Sequence, residues 1–291
     1  MPRATVGDLE IEYDTFGDPS AAPLLLVMGL AYQMIEWDER VCQLIADRGF
    51  WVIRFDNRDV GLSSKMDHLG QADILSALAG NPTALYSLDD MAEDAAGLLD
   101  VLRVRAAHIV GVSMGGMIAQ LLAIHHPDRV LSLTSIMSTV GGPDVVQAEE
   151  SVLLALITPP GPTRDERIEH SVALRRVING AGLPFDEDDA RRRASRAIDR
   201  SYHPDGALRQ LMAIVTAPDR APRLRELRMP TLVIHGEQDP LVPPDNGRQT
   251  ATALPDARLM MVPAMGHHLP ERVWPDVLEA LVEVTGKAAV A

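Results

Sequence analysis

The chain has 291 residues, of which 46% are hydrophobic and 23% charged, with a formal net charge of -14. This fits a soluble globular chain with a large core, one domain carrying an insertion, and excludes collagen-like and disordered chains. The acidity argues against nucleic acid or an anionic membrane as a partner, and the lone Cys42 excludes an internal disulfide and a cysteine-cluster metal site.

No basic region followed by an apolar run opens the chain, and no run approaches the roughly 18 apolar residues that span a bilayer, so the expected location is cytoplasmic. Leu9 to Tyr13 alternates apolar and charged residues as a half-solvated strand does, and the turn signal Gly17-Asp18-Pro19 follows. The continuous apolar run Leu24 to Met28 reads as a strand covered on both faces. Trp37, Val41, Leu44 and Ile45 recur at helical spacing, and Trp51 to Phe55 is another strand, which gives the βαβ alternation of a parallel sheet. The segment from Lys65 to Tyr86 is expected to be irregular and exposed. Ser87 is a plausible N-cap for a helix whose stripe is Met91, Ala95, Leu98, Leu99 and Leu102.

The apolar run Ala107 to Val110 leads into Gly111-Val112-Ser113-Met114-Gly115-Gly116 and then a second apolar segment, Met117 to Ile124. Strand, sharp turn and helix in that order fit the nucleophile elbow, in which a strained turn lifts a serine hydroxyl off the sheet and small residues let strand and helix pass closely. Val130 to Met137 is a further strand. From 140 to 228 strand signals vanish, and helices separated by breakers such as Pro159-Pro160-Gly161-Pro162 read as a helical cap inserted between core segments 1–139 and 229–291. Within it, Asp186 to Asp189 followed by Arg191, Arg192 and Arg193 reads as a solvated helix with acids at its positive end, needing no ligand. Apolar cap residues such as Leu153, Leu154, Leu156, Ile157, Leu211 and Met212 are expected to pack on the core or line an apolar pocket. Strands Thr231 to His235 and Arg258 to Val262, a helix around Asp245 to Ala253, and a last helix with Trp274, Val277, Leu278 and Leu281 complete the chain.

A serine needs a base to take its proton, and the base needs a carboxylate to orient it. In an open parallel sheet both belong on loops after the C-terminal ends of strands. His267 and His268 alone among nine histidines follow the last strand, and Asp239 follows the one before it. The order Ser113, Asp239, His267 is that of an α/β hydrolase. His267, just after Gly266, is preferred over His268, and Asp239 over Glu237 and Asp144. His108, His125, His126 and His235 are expected to be packing or capping residues. Oxyanion donors are assigned to the backbone N–H groups of Met114 and Leu30.

Together the elbow, Arg54 to Ser63, Gly236-Glu237-Gln238-Asp239-Pro240 and Met265-Gly266-His267 resemble the α/β-hydrolase fold superfamily over nearly the whole chain. Val27-Met28-Gly29-Leu30 and Met265 to Pro270 look like the branch of the aclacinomycin methylesterase type, which cleaves a methyl ester from a polyketide. The resemblance implies a mostly parallel central sheet flanked by helices, a cap after the sixth strand, and a serine hydrolase of carboxylic esters acting on a small-molecule ester without cofactor or metal. Many relatives carry His-Gly where this chain has Met28-Gly29. Relatives of the cofactor-free haloperoxidase or perhydrolase branch share Ser-Met-Gly-Gly but commonly have a tryptophan where Leu30, Ala31 and Tyr32 stand here. That branch, a C–C bond hydrolase or lyase on the same triad, and a non-catalytic binding protein are the alternatives. Monomer and homodimer both stay open.

Overall fold

The computed structural model describes residues 2–288. Eight strands form one sheet: β1 (Arg3–Val6), β2 (Leu9–Phe16), β3 (Ala22–Val27), β4 (Phe50–Phe55), β5 (Ala107–Val112), β6 (Val130–Ile136), β7 (Thr231–Gly236) and β8 (Arg258–Val262). Their spatial order is β1-β2-β4-β3-β5-β6-β7-β8. The pairs β1–β2 and β2–β4 at one edge are antiparallel, and all the other pairs are parallel. The strand β1 has no counterpart in the sequence reading, because four residues at a sheet edge with one buried side chain, Ala4, leave almost no periodicity.

The helices before the elbow are α1 (Glu39–Ala46), α2 (Ile74–Leu78) and α3 (Leu88–Val101), and α4 (Met114–His125) follows the elbow serine directly. In α1 the buried stripe is Val41, Cys42 and Ile45, and Leu44 faces solvent, off the face its spacing assigned. The expected cap on α3 forms: Ser87 and Asp90 make a reciprocal capping box. The segment from Lys65 to Tyr86 does contain a short helix, α2, whose Leu75 and Leu78 are exposed. Burial pushes the Cys42 thiol up to about 12, which keeps it protonated and inert.

Helices α5 (Glu150–Ile157), α6 (Arg164–Ile178), α7 (Glu187–Arg200), α8 (Pro204–Val215) and α9 (Ala221–Leu224) lie between β6 and β7, and α10 (Pro244–Ala253) and α11 (Trp274–Ala288) complete the chain. Among the described residues no helix is long and apolar enough to cross a membrane.

Apolar residues of α3 and α4 pack on one sheet face, and those of α1 and α11 on the other. That covering explains the uninterrupted apolar runs of the central strands. The connection leaving β3 enters α1 on one face, and the one leaving β5 enters α4 on the opposite face, although β3 and β5 are direct neighbours. Their C-terminal ends therefore diverge and open a crevice, the place where ligands bind in such sheets.

Ion pairs tie the helices between β6 and β7 to the segment that leads into α1. On α7, Arg193 reaches Asp38 at 2.9 Å and Arg196 reaches Glu39 at 2.6 Å, while Arg175 of α6 reaches Glu36 at 2.6 Å. The α7 helix is thus more than a solvated surface. Its basic face is partnered across the insertion boundary. Of the apolar residues expected to pack, Met212 is buried, whereas Leu153 and Leu154 face solvent.

The most buried of these ties is Arg209 of α8, which donates twice to Asp59 at 2.8 Å, with both side chains removed from water. Burial alone would raise the Asp59 pKa, but hydrogen bonds from Arg209 and the Met66 N–H overcome it and hold the carboxyl below its ordinary value. Its stabilising contribution is therefore complete above the usual carboxylate range and is lost as pH falls through the lower folded-state value. Arg209→Met is expected to cost about 3–5 kcal/mol near neutral pH, because it strands a buried carboxylate. Urea titrations should show this penalty shrinking on acidification, and a penalty independent of pH would contradict the pairing.

Candidate active site

Ser113 closes the turn between β5 and α4 with φ 54° and ψ -123°, a conformation L side chains rarely adopt. Its neighbours explain how the turn tolerates this. A Cβ on Gly111 would lie 2.1 Å from the Gly115 carbonyl oxygen, one on Gly115 would lie 2.2 Å from that of Val27, and one on Gly116 would lie 2.6 Å from the Ser138 Cβ. None of those approaches is possible with a side chain present. The turn is also bonded at both ends: the Ser113 N–H donates to the Ile136 carbonyl at 2.9 Å, and the Ser138 hydroxyl donates to the Ser113 carbonyl at 2.8 Å.

His267 lies on the loop after β8, and Asp239 on the loop after β7. His267 Nε2 is 3.0 Å from the Ser113 Oγ, and His267 Nδ1 is 2.7 Å from Asp239 Oδ2. A carboxylate only accepts, so Nδ1 carries the proton and Nε2 is left to accept from the serine hydroxyl. Asp239 and His267 are both buried. The other oxygen of Asp239, Oδ1, accepts from the N–H groups of Leu241 at 2.9 Å and Val242 at 2.8 Å, which locks the carboxylate's orientation. The His267 N–H donates at 2.8 Å to the carbonyl of Ile178, the last residue of α6. Glu237 and Asp144 are exposed and do not take part.

The β3 loop completes the arrangement. A Cβ on Gly29 would stand 3.2 Å from the Ser113 Cβ and 3.7 Å from its Oγ, so backbone replaces side chain beside the nucleophile. Among the described residues neither the Leu30 N–H nor the Met114 N–H donates a hydrogen bond within the chain, so both are free for an incoming oxygen.

Ser113 Oγ pairs with His267, and His268 Nδ1 is buried without a hydrogen-bond partner. Burial, aided by the neighbouring His267, pushes its pKa down to about 4 and keeps the ring neutral above that. His108 is buried against Ser132, the packing role expected of it, whereas the rings of His125 and His126 cap no backbone and instead bond the carboxylates of Asp89 and Glu93 on α3. His235 does more than pack. Its Nε2 donates to the Val242 carbonyl at 2.8 Å and lies 3.5 Å from Asp239 Oδ2, which buttresses the acid turn. Only its place four residues before Asp239 could have pointed there. Asp59, Asp67 and His203 cluster within 4.8 Å of one another like metal ligands, but the Arg209 guanidinium already supplies the cation among them, bonding Asp59 and Asp67 at 2.8 Å.

A family model described as alpha/beta hydrolase fold matches residues 22–271. Rhodomycin D methylesterase DauP of Streptomyces sp. (strain C5) is 33% identical and aligns over 98% of each chain. Rhodomycin D methylesterase DnrP of Streptomyces peucetius is also 33% identical, over the whole of both chains. The solved structure of a meta-cleavage product hydrolase from Pseudomonas fluorescens IP01 superposes with a TM-score of 0.77 at 20% identity, covering 99% of this chain and 98% of that one, a likeness of fold.

The two adjacent histidines give a direct check on this geometry. His267→Asn is expected to slow phosphonylation of Ser113 by a fluorophosphonate by about 100-fold or more, the scale of lost general-base assistance. His268→Asn should leave that rate within about threefold, since the serine hydroxyl is bonded to His267 and not to it. Intact-mass kinetics of both variants would measure this, and equal losses would contradict the assignment.

Proposed function

The chain belongs to the α/β-hydrolase fold family, and from that premise we propose that it hydrolyses carboxylic esters of moderately hydrophobic small molecules through Ser113, His267 and Asp239. The observation that carries the reading is the continuous hydrogen-bonded chain from Ser113 Oγ through the His267 ring to Asp239, set on a strained elbow. The two Streptomyces relatives, named as methylesterases and matched over almost their full length, support ester hydrolysis and direct attention to methyl esters.

In this mechanism Ser113 Oγ attacks the ester carbonyl as His267 Nε2 takes its proton. Asp239 holds the resulting imidazolium in place through Nδ1–H. The developing oxyanion accepts from the Leu30 and Met114 N–H groups, whose positions are fixed before substrate arrives. The intermediate collapses, the C–O bond to the alcohol breaks, and His267 returns the proton to the departing alkoxide. Water then attacks the acyl enzyme by the same route, releasing the acid and restoring Ser113. The helices of the 140–228 insertion act as the cap over this centre and select the ester by shape. The reaction as drawn needs only these side chains and backbone groups.

Steady-state assays on short and long p-nitrophenyl esters, and on the methyl ester of a polycyclic aromatic acid, test the reading. Wild type is expected to turn over short esters, and Ser113→Ala to lose about 10⁴-fold or more in kcat with the fold unchanged. Labelling of Ser113 by a fluorophosphonate without hydrolysis of any ester would instead favour C–C bond cleavage or perhydrolysis on the same triad.

A further inference from the structure

Gln210 lies in α8, on the insertion, 179 residues along the chain from the β3 loop, and is fully buried. Its Oε1 accepts from the Ala31 N–H at 2.9 Å and its Nε2 donates to the Arg58 carbonyl at 2.8 Å. These two partners fix which way the amide faces: turned over, it would oppose N–H to N–H and oxygen to oxygen. Next to it, Arg209 seats the same helix on Asp59.

The bond to Ala31 falls at a consequential place. Ala31 has φ 62°, a left-handed conformation uncommon for a residue with a Cβ, so the turn is held there by its surroundings. The preceding residue, Leu30, carries one of the two N–H groups assigned to the oxyanion. On its other side the Met28 carbonyl accepts from Asn57 Nδ2 at 2.9 Å. The loop's own closing bond, from the Tyr32 N–H to the Gly29 carbonyl, is long at 3.4 Å. The peptide groups flanking the Leu30 donor are thus held by two side chains, one from the core and one from the insertion.

We propose that Gln210 is a positioning residue that holds the Leu30–Ala31 peptide so that the Leu30 N–H points at the oxyanion, which makes the seating of the insertion a condition for a formed oxyanion hole. This rests on the hydrolase reading above. Without the acceptor on Gln210, the Leu30–Ala31 peptide can rotate and release Ala31 from its left-handed conformation. That relaxation shifts Leu30 and tilts the preceding Gly29–Leu30 peptide, which carries the donor, while Ser113, His267 and Asp239 stay in place. Substrate affinity does not depend on that donor, and transition-state stabilisation does.

Gln210→Met removes both hydrogen bonds at similar volume, and Gln210→Glu keeps the oxygen that accepts from Ala31. The variants are compared by steady-state hydrolysis of a p-nitrophenyl ester, by inhibition with an alkyl trifluoromethyl ketone, whose serine adduct carries an oxyanion, and by hydrogen exchange of the peptide from Met28 to Gln33. For Q210M, kcat is expected to fall about 10- to 100-fold, less than the 10²–10³ for deleting an oxyanion donor outright, with KM nearly unchanged. The ketone's Ki should rise in step, the loop should exchange faster, and Q210E should recover most of the loss. If Q210M fails to fold, Gln210→Asn, which keeps the amide but shortens its reach, is read in the same way. Unchanged ketone affinity, unchanged loop exchange, or a Q210E variant as impaired as Q210M would overturn the proposal. A wild type that neither hydrolyses esters nor takes up a fluorophosphonate would overturn the hydrolase reading and the catalytic role of Gln210 with it, whereas an active wild type with an indifferent Q210M overturns the role of Gln210 alone.

Discussion

The backbone of Ser113 is the constraint on which the rest of the structure turns. Holding a non-glycine residue at φ 54° and ψ -123° is unfavourable, and it persists because β3, β5 and the start of α4 approach one another too closely to leave an alternative. That approach requires hydrogen in place of a side chain at Gly111 and Gly115 and leaves only a tight 3.2 Å for one at Gly29, and the strands that carry it are covered on both faces. Once the turn is forced, its consequences are geometric. The hydroxyl stands above the sheet, the Met114 N–H opens α4 without an acceptor, and the β3 loop passes beside the serine as bare backbone.

The helices between β6 and β7 are bound into this arrangement at the level of single hydrogen bonds. The end of α6 supplies the carbonyl that fixes the backbone of His267, and Gln210 of α8 holds the loop that bears Leu30. On α7, Ala197 and the adjoining Ser201 offer carbonyls to Gln33, two residues past Ala31. Arginine–carboxylate pairs, from the partly exposed Arg193–Asp38 to the buried Arg209–Asp59, press these contacts into register. Exposed pairs add little stability singly, but they fix where a helix sits, and here that placement decides how the loops carrying the serine's partners are held.

Much of this was legible in the sequence, for identifiable reasons. Parallel strands buried on both faces write themselves as apolar runs, so β3, β4, β5, β6 and β7 stand out with bounds close to those observed. The glycines of the elbow and the chain order of Ser113, Asp239 and His267 reflect steric and topological demands that admit few alternatives. Other features left no such trace. The strand β1 is too short and too marginal to show a period, and the exposure of Leu44 follows from α1 turning Val41, Cys42 and Ile45 inward, a rotation that spacing alone cannot supply. The roles of Gln210 and the Arg209–Asp59 pair come from contacts between distant segments, and that of His235 from how the turn after β7 folds back on it. In the sequence they are an unremarkable glutamine, a strand histidine and one arginine among many.

In the proposed mechanism the Leu30 and Met114 N–H groups and the Ser113–His267–Asp239 chain form one preorganised centre for a tetrahedral oxyanion. The most direct measurement is a crystal structure of the protein phosphonylated by a methyl alkylfluorophosphonate, whose adduct mimics that intermediate. Phosphorus is expected bonded to Ser113 Oγ, with its phosphoryl oxygen about 2.7–3.1 Å from both N–H groups and His267 still bonded to Asp239. An adduct on another residue, or a phosphoryl oxygen directed away from Leu30 and Met114, would contradict it.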